Sequence, residues 1–284
     1  MRRLTILLIT IATALQGFSQ IKMPMGSSAE VEKFYKTTTY VVMKNEFMSD
    51  YNEKIKETIE KHWTITPYKF IKASEFEKLS HDDDKSFLMA NIAYFDNDDT
   101  KFEFLILSLG GSKYKTFNDM PTLCAIPLCY YEDEDEDKYL YKLGAMLKHC
   151  QTHIEICHKH PELKKETILD YYMNNSSSPA DKKLYLLKDE VSEDLRSNSN
   201  LKSAYPYEAE FVTSERIEEL IDKNDDKALI ALIINPFEDN GLQYCIKIII
   251  DVKEGMIYYY DFQKLKKNTY GYITSDDLKK LSKQ

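Results

Sequence analysis

The sequence lacks the short motifs by which many enzymes and cofactor-binding proteins are recognised. No G-x-S-x-G, H-E-x-x-H or C-x-x-C pattern occurs in its 284 residues, and these patterns mark hydrolase, zinc-protease and thiol-redox sites. The stretch Gly110-Gly111-Ser112-Lys113 follows a predicted strand but opens no predicted helix, so it does not aim backbone amides at a phosphate. The acidic run at residues 132–137 is followed by Lys138, where a calcium-binding loop requires glycine. We therefore predict no cofactor.

Cysteine is scarce and positive charge is in the minority. The five cysteines are too few for a disulfide scaffold in so long a chain, and an odd number leaves at least one outside an intramolecular bond. The 38 basic residues are outnumbered by 47 acidic ones, which gives a net charge of −9. Because a surface of this sign repels nucleic acid and anionic lipid, we predict no nucleic-acid partner.

Long apolar runs are absent except at the N-terminus. Arg2 and Arg3 precede an apolar run at residues 4–15, and Gly17-Phe18-Ser19 forms a small-x-small cleavage site. The run is shorter than the roughly 20 residues that span a bilayer. We interpret residues 1–19 as a signal peptide and expect an exported protein, in the periplasm, at the cell surface or outside the cell, with no membrane span in the mature chain.

The main positive feature of the sequence is an internal duplication. Asp83-Asp84-Lys85 recurs as Asp225-Asp226-Lys227, 142 positions later. At the same spacing residues 87–95 face residues 229–237, and residues 102–107 face residues 244–249. The first run is mostly apolar, as in a strand buried on both faces, and the second alternates with period two. Two unrelated hairpins of similar composition remain the alternative interpretation.

The duplication predicts an α/β (α+β) protein with two tandem repeats. Each is expected to follow the order β-α-β-α-β-β-β-α and to form a mixed sheet covered by helices. The first repeat spans residues 28–160, a linker with a short helix spans 161–182, and the second repeat spans 183–284. The first repeat ends in the longest predicted helix, residues 138–160, whereas the second ends in a short one. We therefore expect the second repeat to be less stable or to rely on the first for cover.

The predicted long helix carries four of the six histidines. His149 and His153 stand one helical turn apart, a spacing at which two imidazoles share a metal ion in zinc enzymes. Cys150 and Cys157 recur with leucine and isoleucine at spacings of three and four, which places them on the buried stripe and the histidines beside it. No neighbouring motif supplies the remaining ligands. We therefore predict no metal site and name His149 and His153 as the candidate ligands should one exist.

Tyrosine is abundant, with 21 residues. Tyr258 and Tyr260 alternate with Tyr259 along a predicted strand, so the first two are expected to share one face. Such amphipathic aromatic side chains are common on binding surfaces, and covered sheet faces use them as well. We name Tyr258 and Tyr260 as a candidate binding surface.

Five short motifs carry a resemblance to known proteins: Trp63-Thr64-Ile65-Thr66-Pro67-Tyr68, Asn118-Asp119-Met120-Pro121, Tyr141-Lys142-Leu143-Gly144, Tyr205-Pro206-Tyr207 and Tyr258-Tyr259-Tyr260-Asp261. They resemble the landmarks of a family of exported proteins of unassigned function, typical of gut-type Gram-negative anaerobes, over most of the mature chain. No catalytic residues are known for that family, so the resemblance assigns none to this chain. The order of strands and helices is also similar to the N-terminal domain of TolB-type periplasmic proteins, a resemblance that implies a protein-binding module.

Three functional hypotheses follow. The preferred one is a non-catalytic exported envelope protein that binds a partner protein or ligand through its duplicated domains. The alternatives are a hydrolase with a site between the domains and a metal-handling protein that uses the histidine-rich helix. A pocket that joins acidic residues of both repeats would favour the enzyme, whereas a shallow surface with exposed tyrosines would favour binding. Neither the partner nor the oligomeric state follows from the sequence.

The signal peptide makes a direct prediction. Cleavage after Ser19 should leave Gln20 as the first residue of the exported protein, and N-terminal glutamine should cyclise. Mass spectrometry of material recovered from the cell envelope should show this N-terminus. Membrane-bound protein that retains Met1 would contradict the export hypothesis.

Overall fold

The computed structural model describes residues 23–45, 49–94, 101–131, 135–236, 243–266 and 271–284. The first part of the chain forms α1 (Ser28–Phe34), β1 (Thr38–Met43), α2 (Asp50–His62), β2 (Tyr68–Lys72), α3 (Ala73–Leu79), β3 (Lys85–Tyr94), β4 (Lys101–Leu109), β5 (Thr122–Tyr130) and α4 (Leu143–Lys159). After α5 (Ile168–Asn175) come β6 (Lys183–Leu186), α6 (Asn198–Ala204), β7 (Glu208–Phe211), α7 (Ser214–Asp222), β8 (Ala228–Ile234), β9 (Gln243–Asp251), β10 (Ile257–Leu265) and α8 (Ser275–Leu281). Among the described residues, no helix combines the length and the apolar character needed to cross a bilayer.

The strands form two five-stranded sheets with the same topology. Their orders are β2-β1-β3-β4-β5 and β7-β6-β8-β9-β10. In each sheet the first three strands are parallel, and the last two are added as antiparallel hairpins. From β1 to α4 and from β6 to α8 the elements follow the predicted order β-α-β-α-β-β-β-α. The predicted pair of similar α/β domains, each with a mixed sheet and covering helices, is therefore confirmed.

Strand pairing corrects the alignment of the two repeats by one residue. Leu88 pairs with Leu107 and lies in the core cluster that includes α2, whereas Ala231 pairs with Ile249 and lies in the cluster that includes α6. Leu107 and Ile249 are 142 positions apart, as predicted, but Leu88 and Ala231 are 143 apart. In strands buried on both faces most positions are apolar, so likeness alone does not fix the register.

Three other predictions from the sequence fall on residues that the structure does not describe. Residues 95 and 237, the phenylalanines aligned at the ends of β3 and β8, lie outside the described ranges. Asp239-Asn240-Gly241, a sequence that predicts a tight turn between the two paired strands, also lies outside the described ranges. The signal peptide at residues 1–19 also precedes the first described residue, Met23.

Helix α4 lies between the two sheets. It is shorter than predicted because two 3-10 turns, Glu136–Lys138 and Leu140–Lys142, replace its expected first turns. The helix has 17 residues, and all but four of them are buried, a pattern typical of a helix that is packed on every side. On its second-repeat side, Lys148 Nζ donates to the carbonyl oxygens of Ile221 and Val252, each at 2.8 Å. These bonds tie the helix to the second repeat.

The main hydrophobic core belongs to both repeats. Leu107 and Leu147 of the first repeat and Ile230 and Ile248 of the second lie in one continuous cluster of buried side chains. Smaller clusters fill the outer faces, under α3 for the first sheet and under α6 and α8 for the second. The second repeat therefore buries one face of its sheet against elements of the first.

The segment predicted as a linker, residues 161–182, packs against both repeats. Its helix α5 buries Ile168 and Tyr172 completely in the main core. Tyr172 contacts His149 and His153 of α4, with ring centroids 5.5 and 6.2 Å apart. Beyond the helix, Ser177 Oγ lies 2.6 Å from the hydroxyl oxygen of Tyr258 in β10. The segment therefore adds to the contact between the repeats.

Gly255 provides a test of this packing. It has φ +68°, and a Cβ atom built on it would lie 2.3 Å from the backbone nitrogen of His149 in α4. Because helix backbone cannot yield as a flexible side chain can, Gly255→Ala should destabilise the protein by at least about 2 kcal/mol. Lys253→Ala, an exposed change in the same turn, should stay within about 0.5 kcal/mol of the original protein. Equal midpoints for the two variants in urea unfolding would show that the turn does not press on α4.

Candidate functional site

A cleft of about 520 Å³ lies where the two repeats meet. It is bounded by β5 and the turns before α4 on one side, and by β8, the start of α7 and the segment after β6 on the other. This volume falls within the roughly 300–1,000 Å³ of small-molecule sites. Three tyrosines and five charged residues are among those that line it: Tyr139, Tyr141, Tyr272, Asp137, Lys138, Lys142, Asp189 and Glu190.

A buried ion pair joins the repeats at this cleft. Lys142, just before α4, donates to Glu190 Oε1, which follows β6. Their side chains are 2% and 14% exposed. Within the described part of the chain, Glu190 Oε2 is buried and has no hydrogen-bond partner. Burial raises the pKa of the Glu190 carboxyl, although Lys142 works against this shift. The pair therefore links the repeats and leaves one carboxylate oxygen able to accept a hydrogen bond.

A pocket that joins acidic residues of both repeats favours an enzyme, and the cleft is such a pocket. It brings together acidic residues of both repeats, Asp137 from the first and Asp189 and Glu190 from the second. Sequence reasoning did not find these residues, because nothing in the two segments shows that they lie side by side. Only the packing of the second sheet against α4 joins them.

Tyr258 and Tyr260 lie on opposite faces of β10, so the expectation that they share one face is wrong. A β-bulge shifts the pairing with β9 between Ile257 and Tyr259, and alternation along a strand fails at a bulge. Tyr258 consequently joins Tyr259 in the core beneath α8 and is only 2% exposed. Tyr260 is half-buried and lines an apolar cavity of about 210 Å³ beside β4 and β5. A binding role for Tyr260 stays a prediction.

His149 and His153 lie inside the core rather than beside the buried stripe. Both are completely buried, and burial lowers their pKa values to about 4 and about 3, so both imidazoles are neutral at physiological pH. His149 Nδ1 donates to the carbonyl oxygen of Gly255 at 2.8 Å. His153 Nδ1 lies 2.5 Å from the hydroxyl oxygen of Tyr172.

Strand β5 brings Cys124 to these two histidines. Its Sγ atom and one ring nitrogen of each histidine all lie within 4.8 Å of one another, and all three residues are buried. The spacing of the histidines was visible in the sequence, but Cys124 was missed because it lies on a strand that only the packing of α4 brings near. Cys150 and Cys157 are buried on α4, as predicted from their spacing.

Comparison of the chain with protein-family models, with curated proteins and with solved structures found no match.

Proposed function

We propose that this protein is an exported, non-catalytic envelope protein that binds an organic ligand in the cleft between its two repeats. The observation that carries the proposal is the Lys142–Glu190 pair, which crosses the repeat boundary at the wall of the cleft and leaves Glu190 Oε2 without a partner among the described residues. A buried acceptor without a donor costs about 1 to 3 kcal/mol. A ligand that supplies the donor would recover this energy.

The lining of the cleft indicates the chemistry of the ligand. Asp137, Asp189 and Glu190 outnumber the two lysines Lys138 and Lys142, so an anionic ligand is disfavoured. The tyrosines and the apolar side chains of β8 suit an apolar or aromatic body. The proposed ligand is thus a small molecule with such a body and an ammonium or hydroxyl group that donates to Glu190.

The hydrolase remains the second candidate because acidic residues of both repeats line the cleft. Two carboxyl groups at a suitable separation are the machinery of most glycosidases. The preference for binding rests on the environment of Glu190, whose Oε1 accepts a hydrogen bond from Lys142 and is therefore already engaged. Export follows from the signal peptide and stays part of the proposal.

The test is capture of the ligand by the mature protein, residues 20–284. The protein is incubated with a small-molecule extract of the cell envelope, separated from unbound material and analysed by native mass spectrometry. We expect one retained compound, with affinity at least about tenfold lower for Glu190→Gln, the loss that follows when one charged hydrogen bond of about 1.5 to 3 kcal/mol is removed. Glu193→Gln is the matched control, since Glu193 is exposed nearby and should bind as the original protein does.

The outcomes separate the hypotheses. Consumption of the compound by the original protein, but not by Glu190→Gln, would replace binding with the hydrolase. Retention that is equal in all three proteins would place the ligand outside the cleft. Recovery of no compound, together with capture of an envelope protein that is insensitive to Glu190→Gln, would contradict the proposed ligand site.

A further inference from the structure

We propose that Cys124, His149 and His153 form a buried site for one thiophilic transition-metal ion, zinc(II) or copper(I). The sulfur and one nitrogen of each imidazole already converge within 4.8 Å of one another. Ligands of a tetrahedral or trigonal ion with metal–nitrogen and metal–sulfur bonds of about 2.0 and 2.3 Å lie roughly 3.3 to 4 Å apart. Closing the site requires only small side-chain movements.

Hydrogen bonding fixes His149 in the form that a metal requires. The carbonyl oxygen of Gly255 can only accept, so His149 Nδ1 must carry the proton. Its Nε2 atom is then an unprotonated acceptor, and this buried atom has no partner among the described residues. In metal-bound histidines, the N–H of the other ring nitrogen almost always donates a hydrogen bond to a carbonyl or carboxylate in this way. His149 therefore has the protonation and support of a ligand before any ion is bound.

His153 repeats the arrangement one turn further along α4. Its Nδ1 lies 2.5 Å from the hydroxyl oxygen of Tyr172, which can accept a hydrogen bond from the ring N–H. Its Nε2 is likewise buried and makes no hydrogen bond of good geometry within the described part of the chain, although backbone groups of Leu123 and Pro24 lie near the ring. Two adjacent orphan acceptors beside a thiol are costly in an apolar core. A metal ion would coordinate both imidazole nitrogens and the Cys124 sulfur at once.

The donor set determines the class of ion. Thiolate and imidazole are ligands for zinc and copper, whereas calcium and magnesium take oxygen ligands. On binding, the ion would displace the Cys124 thiol proton, which would leave to solvent, and the two neutral imidazoles would bind without losing a proton. Because the site lies between β5, α4 and α5, beside the Gly255 turn of the second repeat, bound metal would also strengthen the shared core.

The test is anaerobic titration of the mature protein with zinc(II) and, separately, copper(I), each against a chromophoric chelator. We expect one equivalent of one of these ions to bind and to raise the thermal midpoint. Cys124→Ser and His149→Asn should each weaken binding at least about tenfold, while His158→Gln should leave it unchanged. His158 is the matched control because it lies on the same helix but is exposed.

A spectroscopic readout distinguishes a ligand from a structural residue. Cobalt(II) bound through Cys124 should give a thiolate charge-transfer band that is absent from Cys124→Ser and present in Cys245→Ser, with circular dichroism showing that each variant is folded. If Cys124→Ser does not fold, His149→Asn carries the comparison, with weakened cobalt binding as its readout. Failure of the original protein to bind either titrated ion, or binding that survives both Cys124→Ser and His149→Asn, would overturn the site.

Discussion

The fold depends on one constraint. Helix α4 lies between two sheets, so its side chains need packing or hydrogen-bond partners on every side. Apolar side chains meet this demand easily, but the helix also carries Lys148 into the interior. Burial lowers the pKa of Lys148 to about 8, and its Nζ atom donates to carbonyl oxygens at the end of α7 and after β9. A buried amine is tolerated only with such partners. The position of the second repeat is thus fixed by polar contacts as well as by apolar area.

The arrangement of α4 also explains where the cleft and the histidine cluster occur. The turns before α4 carry Lys142 to the boundary of the repeats, where it meets Glu190. Two turns later the same helix carries His149 and His153 beneath the Gly255 turn and beside Tyr172. The cleft draws its lining from both repeats. The three proposed metal ligands all lie in the first repeat, but Gly255 of the second repeat and Tyr172 of α5 contact the two histidines.

The sequence predicted the order of helices and strands well, but it predicted the contacts between their residues less well. Strand periodicity and the duplication were sufficient to predict the order of the elements. Register was misjudged by one residue at Leu88 and Ala231 because the residues around them in both strands are mostly apolar. Tyr258 was placed on the wrong face because a bulge leaves no signal in the alternation. Glu190 and Cys124 were missed as site residues because only tertiary packing brings them to their partners.

Packing of both repeats around α4 should make them unfold as one cooperative unit, which native-state hydrogen exchange can measure. The slowest amides of α4 and of β8 should then exchange only through global unfolding, with the same free energy and the same dependence on denaturant. Exchange of β8 at a clearly lower free energy, while α4 remains protected, would instead show that the second repeat opens alone.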